Sequence, residues 1–120
     1  MNNKIKSTII ITAENQEKFI ERCIKSCLNQ SVKNIEIIIV FTKLKNINIL
    51  KKRYLSKNIV FLNIAKKINK PTQDQLFKIK QGLLISKGKY IFLLDGDDTY
   101  KKSKVREAIN SIKDKEVLFL

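Results

Sequence analysis

Apolar residues recur along this chain in two distinct periods, and the switches between them mark the elements. Residues Ser7 to Thr12 form a β-branched, apolar run, after which Phe19, Ile20, Cys23, Ile24, Cys27 and Leu28 recur every three to four positions, the spacing of one helical face. A strand followed by an amphipathic helix is the reading. Ile35 to Phe41 is continuous apart from Glu36, as a strand covered on both faces of a parallel sheet must be. A short helix over Ile47 to Leu55 and a strand over Val60 to Ile64 follow, closed by the polar stretch from Lys66 to Thr72 with Pro71.

The second half repeats the pattern. Between Asp74 and Lys87, Leu76, Ile79 and Leu83 share one helical face with Phe77 and Leu84 beside them, and Gly88 stands where a left-handed residue would end the helix. Gly82 sits inside this helix at a cost of about 1 kcal/mol relative to alanine, so close packing against a strand or a ligand is expected there. Tyr90 to Leu94 reads as a strand, Val105, Ala108, Ile109 and Ile112 as a helix, and Val117 to Leu120 as a last strand. The order βαβαβαβαβ over residues 1–120 predicts one α/β domain with a mostly parallel sheet and helices on both faces. With a strand order of 3-2-1-4, ligands would bind at the switch between the first and fourth strands. That order puts Thr12 to Asn15 beside Asp95 to Asp98.

Composition narrows the chemistry. A chain of 120 residues, 43% of them hydrophobic, with one Pro and three Gly, has the makings of a single folded core. Its longest apolar runs are too short to span a bilayer and its start lacks a signal-peptide core, which points to the cytoplasm. With no histidine and only Cys23 and Cys27, a zinc site would lack its usual ligands. The two cysteines lie on the apolar helical stripe and read as small buried side chains. The net charge of +14 is compatible with nucleic acid, an anionic membrane surface or a phosphorylated ligand. Lysines such as Lys43, Lys45, Lys51, Lys52, Lys66, Lys67, Lys101 and Lys102 are scattered without interleaved aromatics, so no specific nucleic-acid platform is expected. Peripheral contact with an anionic membrane at its inner face stays open.

The polar segment that most needs explaining is Asp95-Gly96-Asp97-Asp98, directly after an apolar strand. Carboxylates this close repel one another in a cleft and call for a cation. Hard oxygen ligands suit magnesium or manganese, which commonly bridge one or two carboxylates to ligand phosphates, and Gly96 would let the turn gather them. The competing reading is a surface turn whose aspartates cap the next helix.

Two segments carry a family resemblance. Ser7 to Asn15, Phe19 to Gln30 and Asn34 to Val40 resemble the opening of family 2 glycosyltransferases, and Gly82 to Asp98 is similar to that family's approach to its DxD motif. Together they cover about half the chain in matching order. The resemblance implies a Rossmann-like GT-A fold that binds a nucleoside-diphosphate sugar and Mg2+ or Mn2+ for transfer of the sugar to a glycan or lipid-linked acceptor in cell-surface glycan synthesis. It places the metal and the ribose-diphosphate on Asp97, with Asp95, Asp98 and Gly96, and the nucleotide wall at Thr12, Ala13, Glu14, Asn15 and Thr42.

Departures from the family pattern are specific. An acidic pair and Gly-Ser after the second strand are replaced by Phe41-Thr42-Lys43-Leu44, and the family's Arg-Asn pair before the third-helix glycine by Ile79 and Lys80. Lys78 and Lys80 read first as solvated lysines on an exposed helix face, with a positive charge supplied to the phosphates as the alternative. Beyond Asp98 the acidic residues are Glu107, Asp114 and Glu116, on the last helix or at its end, so the base that would deprotonate an acceptor is missing. The chain therefore reads as a donor-binding half, truncated after the DxD region, with no catalytic residue assigned. A non-catalytic nucleotide-sugar-binding or assembly module is the alternative.

Overall fold

The computed structural model describes residues 5–65 and 68–113. Eight elements alternate without exception: β1 (Ser7–Glu14), α1 (Ile20–Leu28), β2 (Ile35–Thr42), α2 (Ile47–Arg53), β3 (Ile59–Asn63), α3 (Pro71–Ile85), β4 (Tyr90–Asp95) and α4 (Lys104–Lys113). The strands form one sheet in the order β3-β2-β1-β4, with every pairing parallel. This is the expected α/β architecture and strand order. The strand expected over Val117 to Leu120 lies outside the described residues.

Strands β1 and β2 are central, so both their faces need cover, and their nearly unbroken β-branched sequences meet that need. One face carries the main core. There Ile9, Ile11, Ile37, Ile39, Phe41, Phe92 and Leu94 pack against Ile20, Cys23, Ile24 and Cys27 of α1, Leu50 of α2, and Val105, Ala108 and Ile109 of α4. The other face holds a smaller cluster of Ile10, Ile38 and Val40. Both cysteines are free and buried, as expected. A hydrogen bond with Cys27, and burial, push the Cys23 thiol up.

Helix α3 lies on the second face, turned differently from expectation. Its buried residues are Asp74, Lys78 and Gly82, while Leu76, Leu83 and Leu84 are exposed. The apolar stripe chosen from spacing therefore faces outward. Gly82 explains the rotation, because a Cβ there would stand 2.8 Å from Ile10 Cγ2. Only the glycine lets the helix axis come this close to β1, and the stripe that contains it must face the sheet.

Gly88 differs too. No glycine has a positive φ among the described residues, and α3 ends at Ile85 with Ser86 extended. Gly88 is needed for closeness, since a Cβ would meet Ser7 C and Thr8 N at 2.6 Å. Its N–H donates to Thr8 Oγ1 at 2.9 Å, while the Thr8 hydroxyl donates to Glu36 Oε2 at 2.6 Å. The Lys87 N–H donates to the same carboxylate at 2.5 Å. Buried Glu36, the one polar interruption of β2, thus fixes the entry of β4 beside β1.

Two outcomes follow for stability. Gly88→Ala should lower the unfolding free energy by about 2 kcal/mol or more, because the backbone it would strike cannot move aside cheaply; urea denaturation measures this, and an unchanged midpoint would refute the packing argument. Glu21, on α1, is held below the usual carboxylate range by Arg53 and by the Tyr54 hydroxyl. A lowered folded-state value stabilises above the ordinary carboxylate range and is lost as pH falls through it. Glu21→Gln should therefore flatten the acid limb of a stability-versus-pH curve while costing about 1 kcal/mol at neutral pH.

Candidate nucleotide and metal site

The site is built by the parallel ladder itself. Thr12 of β1 is in register with Asp95 of β4 and Glu14 with Thr42 of β2, so the carboxyl ends of three strands finish side by side. The Gly96 N–H donates to the Thr12 carbonyl at 2.9 Å, carrying the β1–β4 pairing one step into the acidic turn. The turn then closes on itself, with the Asp98 N–H donating to the Asp95 carbonyl at 2.9 Å. Gly96 is closely surrounded, since a Cβ would approach the movable Gln16 Oε1 to 2.5 Å and Ala13 Cβ to 3.0 Å.

The turn is anchored from outside. Gln16 Nε2 donates to Asp95 Oδ1 at 2.9 Å and Arg22 Nη2 to the Asp97 carbonyl at 3.1 Å. Downstream, buried Gln30 donates to the Lys101 carbonyl at 2.8 Å and accepts the Val105 N–H at 3.0 Å. Because α4 begins only at Lys104 and its entry is held by Gln30, the acidic turn is not the cap of that helix.

Thr12, Ala13, Glu14 and Asp95 line one cavity of about 260 Å3, together with Gln16, Pro71, Asp74, Gln75 and Lys78. Gly96 is buried behind its wall, and Asp97 and Asp98 are exposed at the turn. Asn15 and Thr42 do not line it. Asn15 takes a left-handed conformation, φ 53°, and its N–H donates to the Lys43 carbonyl at 3.1 Å. The Thr42 hydroxyl donates to the Ile64 carbonyl at 3.2 Å and is buried. Glu107, at the other end of the loop, is paired with Lys101 at 3.0 Å.

Lys78 corrects the reading from sequence. Instead of lying in solvent it is 3% exposed, with its ammonium 2.5 Å from Asp74 Oδ2 and 4.0 Å from Glu14 Oε1. Asp74 Oδ1 also accepts the Ile68 N–H at 3.0 Å. The signal was present in the sequence as a four-residue repeat, Asp74-Lys78-Gly82, of groups that pair across one helical turn.

Electrostatics at the lip point the same way. Asp97 is raised above the ordinary carboxylate range by partial desolvation and by the charges of Asp95 and Asp98. Among the described residues no three His, Cys, Asp or Glu side chains converge as a preformed cage. The described residues thus form no closed three-carboxylate site, and a hard cation here would need phosphate oxygens or water beside one or two of these carboxylates.

Comparisons with known proteins bear on the fold. Residues 8–43 match the sequence model of the family described as glycosyl transferase family 2. The fold is similar to that of S. aureus TarS, at 20% identity and a TM-score of 0.74 over 91% of this chain and 20% of that one. It is similar to TarS 1–349 in complex with UDP-GlcNAc, at 21% identity and a TM-score of 0.71 over 91% of this chain and 31% of that one. It also resembles the mannosyltransferase PcManGT from Pyrobaculum calidifontis in complex with GDP-Man and Mn2+, at 13% identity and a TM-score of 0.75 over 91% of this chain and 32% of that one. The chain thus spans less than a third of the length of these structures. Curated protein sequences give no match. The resemblance to family 2 glycosyltransferases is borne out over residues 8–43 by the family model and over the fold by these structures.

The buried pair generates a test. Lys78→Met alone removes the ammonium from the buried Asp74 carboxylate and should cost about 3–5 kcal/mol, whereas Lys78→Met with Asp74→Asn should recover most of that loss. Thermal or urea unfolding of the single and double variants measures the coupling, and additive losses would show that the pair is not a unit.

Proposed function

We propose that this domain, with its family 2 glycosyltransferase fold, is the donor-binding part of an enzyme that moves a sugar from a nucleoside diphosphate to a glycan or lipid-linked acceptor, acting in the cytoplasm. The observation that carries the reading is the shared cavity of Thr12, Ala13, Glu14 and Asp95 at the switch point of the sheet. Support comes from two structures of similar fold, one holding UDP-GlcNAc and the other GDP-Man with Mn2+.

The residues divide the work by their chemistry. The end of β1, from Thr12 to Glu14, forms the nucleotide wall, where backbone groups serve whatever the side chains, and Asn15 sits just outside it. Asp97 with Asp95, and Asp98 beside them, would hold Mg2+ or Mn2+ against the diphosphate. A cation so held supplies charge stabilisation to the departing diphosphate. Gln16 orients the Asp95 carboxylate through its 2.9 Å bond, and Arg22 steadies the turn by its bond to the Asp97 carbonyl. Thr42, whose hydroxyl is engaged by Ile64, contributes position and no free donor, so base reading shifts from the end of β2 toward the α3 side of the cavity.

A second reading keeps the binding and drops the turnover. What favours it is the pairing of Glu107 with Lys101 and Ser103, which leaves that carboxylate committed away from the cavity. Donor hydrolysis or transfer by this chain would exclude it.

Titration calorimetry with UDP and GDP in the presence of Mn2+ tests the main reading. Binding should weaken at least about tenfold with chelator or with Asp97→Ala, in line with the loss of a charged ligand at a metal. Equal affinity in wild type and variant would sink the proposal. Because the Asp97 proton competes with the cation, metal affinity should rise as pH increases through its raised value and be lost below the ordinary carboxylate range.

A further inference from the structure

Helix α3 presents leucines to solvent on the side away from the sheet. At about 100° per residue, Leu76, Lys80 and Leu84 fall on the face opposite the buried stripe of Asp74, Lys78 and Gly82, with Leu83 beside them toward β4, where it lines a groove with Ile79, Tyr90 and Leu93. The three leucines are 60%, 44% and 69% exposed, and Lys80 is exposed among them. Just past the helix Lys87 and Lys89 are exposed as well. Between Gln75 and Leu94 the sequence has no acidic residue, and its exposed lysines are Lys80, Lys87 and Lys89, Lys78 being buried. Leu93 of the neighbouring edge strand β4 adds a further exposed apolar side chain.

An apolar ridge set among cations, with no carboxylate in the segment, is matched to one kind of surface. We propose that the outer face of α3 is a membrane-docking surface, with Leu76, Leu83 and Leu84 entering the acyl boundary of an anionic bilayer and Lys80, Lys87 and Lys89 reaching its headgroups. The long lysine stems place their charges at headgroup depth while the leucines go deeper. A second copy of the chain is a poor occupant, because a two-fold contact would set this all-cationic face against itself. No helix among the described residues is long and apolar enough to cross a membrane, so the contact is in the plane of the interface. It also has a geometric consequence: Gln75 and Lys78 of the same helix line the cavity, which brings the cavity within a helical turn or two of the lipid surface.

The surface stands apart from the donor reading and is tested without nucleotide. The full chain would be sedimented with phosphatidylcholine vesicles and with vesicles containing about 30% phosphatidylglycerol, anionic lipid being the required partner. Binding is expected only to the anionic vesicles. Leu76→Ser with Leu84→Ser should weaken it at least about tenfold, and Lys80→Gln with Lys87→Gln several-fold. Both pairs are exposed, and unchanged unfolding midpoints would confirm intact folding. The chain contains no tryptophan, so Leu84→Trp supplies a single reporter whose emission should shift to the blue on anionic vesicles. Absence of wild-type binding, full binding by the leucine pair variant, or an unshifted reporter would overturn the proposal. So would a dimer in analytical ultracentrifugation that the leucine pair variant dissociates, since that would assign the face to self-association.

Discussion

The site exists because β1 is hydrogen-bonded on both sides in parallel register. Its pairing with β4 sets Thr12 opposite Asp95, and the bond from the Gly96 N–H to the Thr12 carbonyl extends that pairing past the end of the sheet. Both faces of β1 are apolar and buried, so the alternation of polar and apolar residues does not choose this register, and specific polar contacts must hold it. The chemistry at one end of the sheet is aligned by contacts at the other, where Glu36, Thr8 and the Lys87-Gly88 backbone lock β4 at its start.

Charge is distributed by the same logic. The chain is strongly cationic overall, yet the turn after β4 concentrates carboxylates, which desolvate and repel one another enough to raise Asp97. A folded protein tolerates such repulsion where a ligand relieves it. The neighbouring ion pair of Lys78 and Asp74 is buried in the wall of the same cavity. Ion pairs of this type add little net stability compared with apolar packing, so their presence on the sheet-facing stripe of α3 is better explained by the cavity they line than by the fold they support.

Much of this was legible from residue pattern alone. Unbroken β-branched runs at Ser7 and Ile35 marked central parallel strands, the Ile20-Cys23-Ile24-Cys27 stripe marked the inner face of α1, and the alternation of elements fixed the sheet class. The placement of Thr12, Ala13, Glu14 and Asp95 in one cavity followed from strand order. What failed was the orientation of α3. Its apolar residues occur nearly all round the helix, so periodicity could not choose a face, and the decisive fact was the 2.8 Å approach at Gly82, a distance no spacing rule encodes. Gly88 and Gly96 were likewise read as conformational glycines, whereas Gly88 is a steric one and Gly96 is closely surrounded. Gln16 and Gln30 escaped notice because their roles depend on partners many residues away, whereas Asp74 pairs with Lys78 one helical turn on and its spacing was simply not used. Thr42 and Asn15, assigned by resemblance, sit near the cavity but outside its lining.

Paramagnetic broadening offers the most direct measurement of the central claim, that the acidic turn and the tip of β1 form one cation-dependent binding site. With a nucleoside diphosphate present, substoichiometric Mn2+ added to 15N-labelled protein should broaden the amides of Asp95 to Asp98 and of Thr12 to Gln16 together, leaving those of α4 near Glu107 sharp. Broadening confined to Glu107 and other surface carboxylates, or spread without focus, would contradict the account.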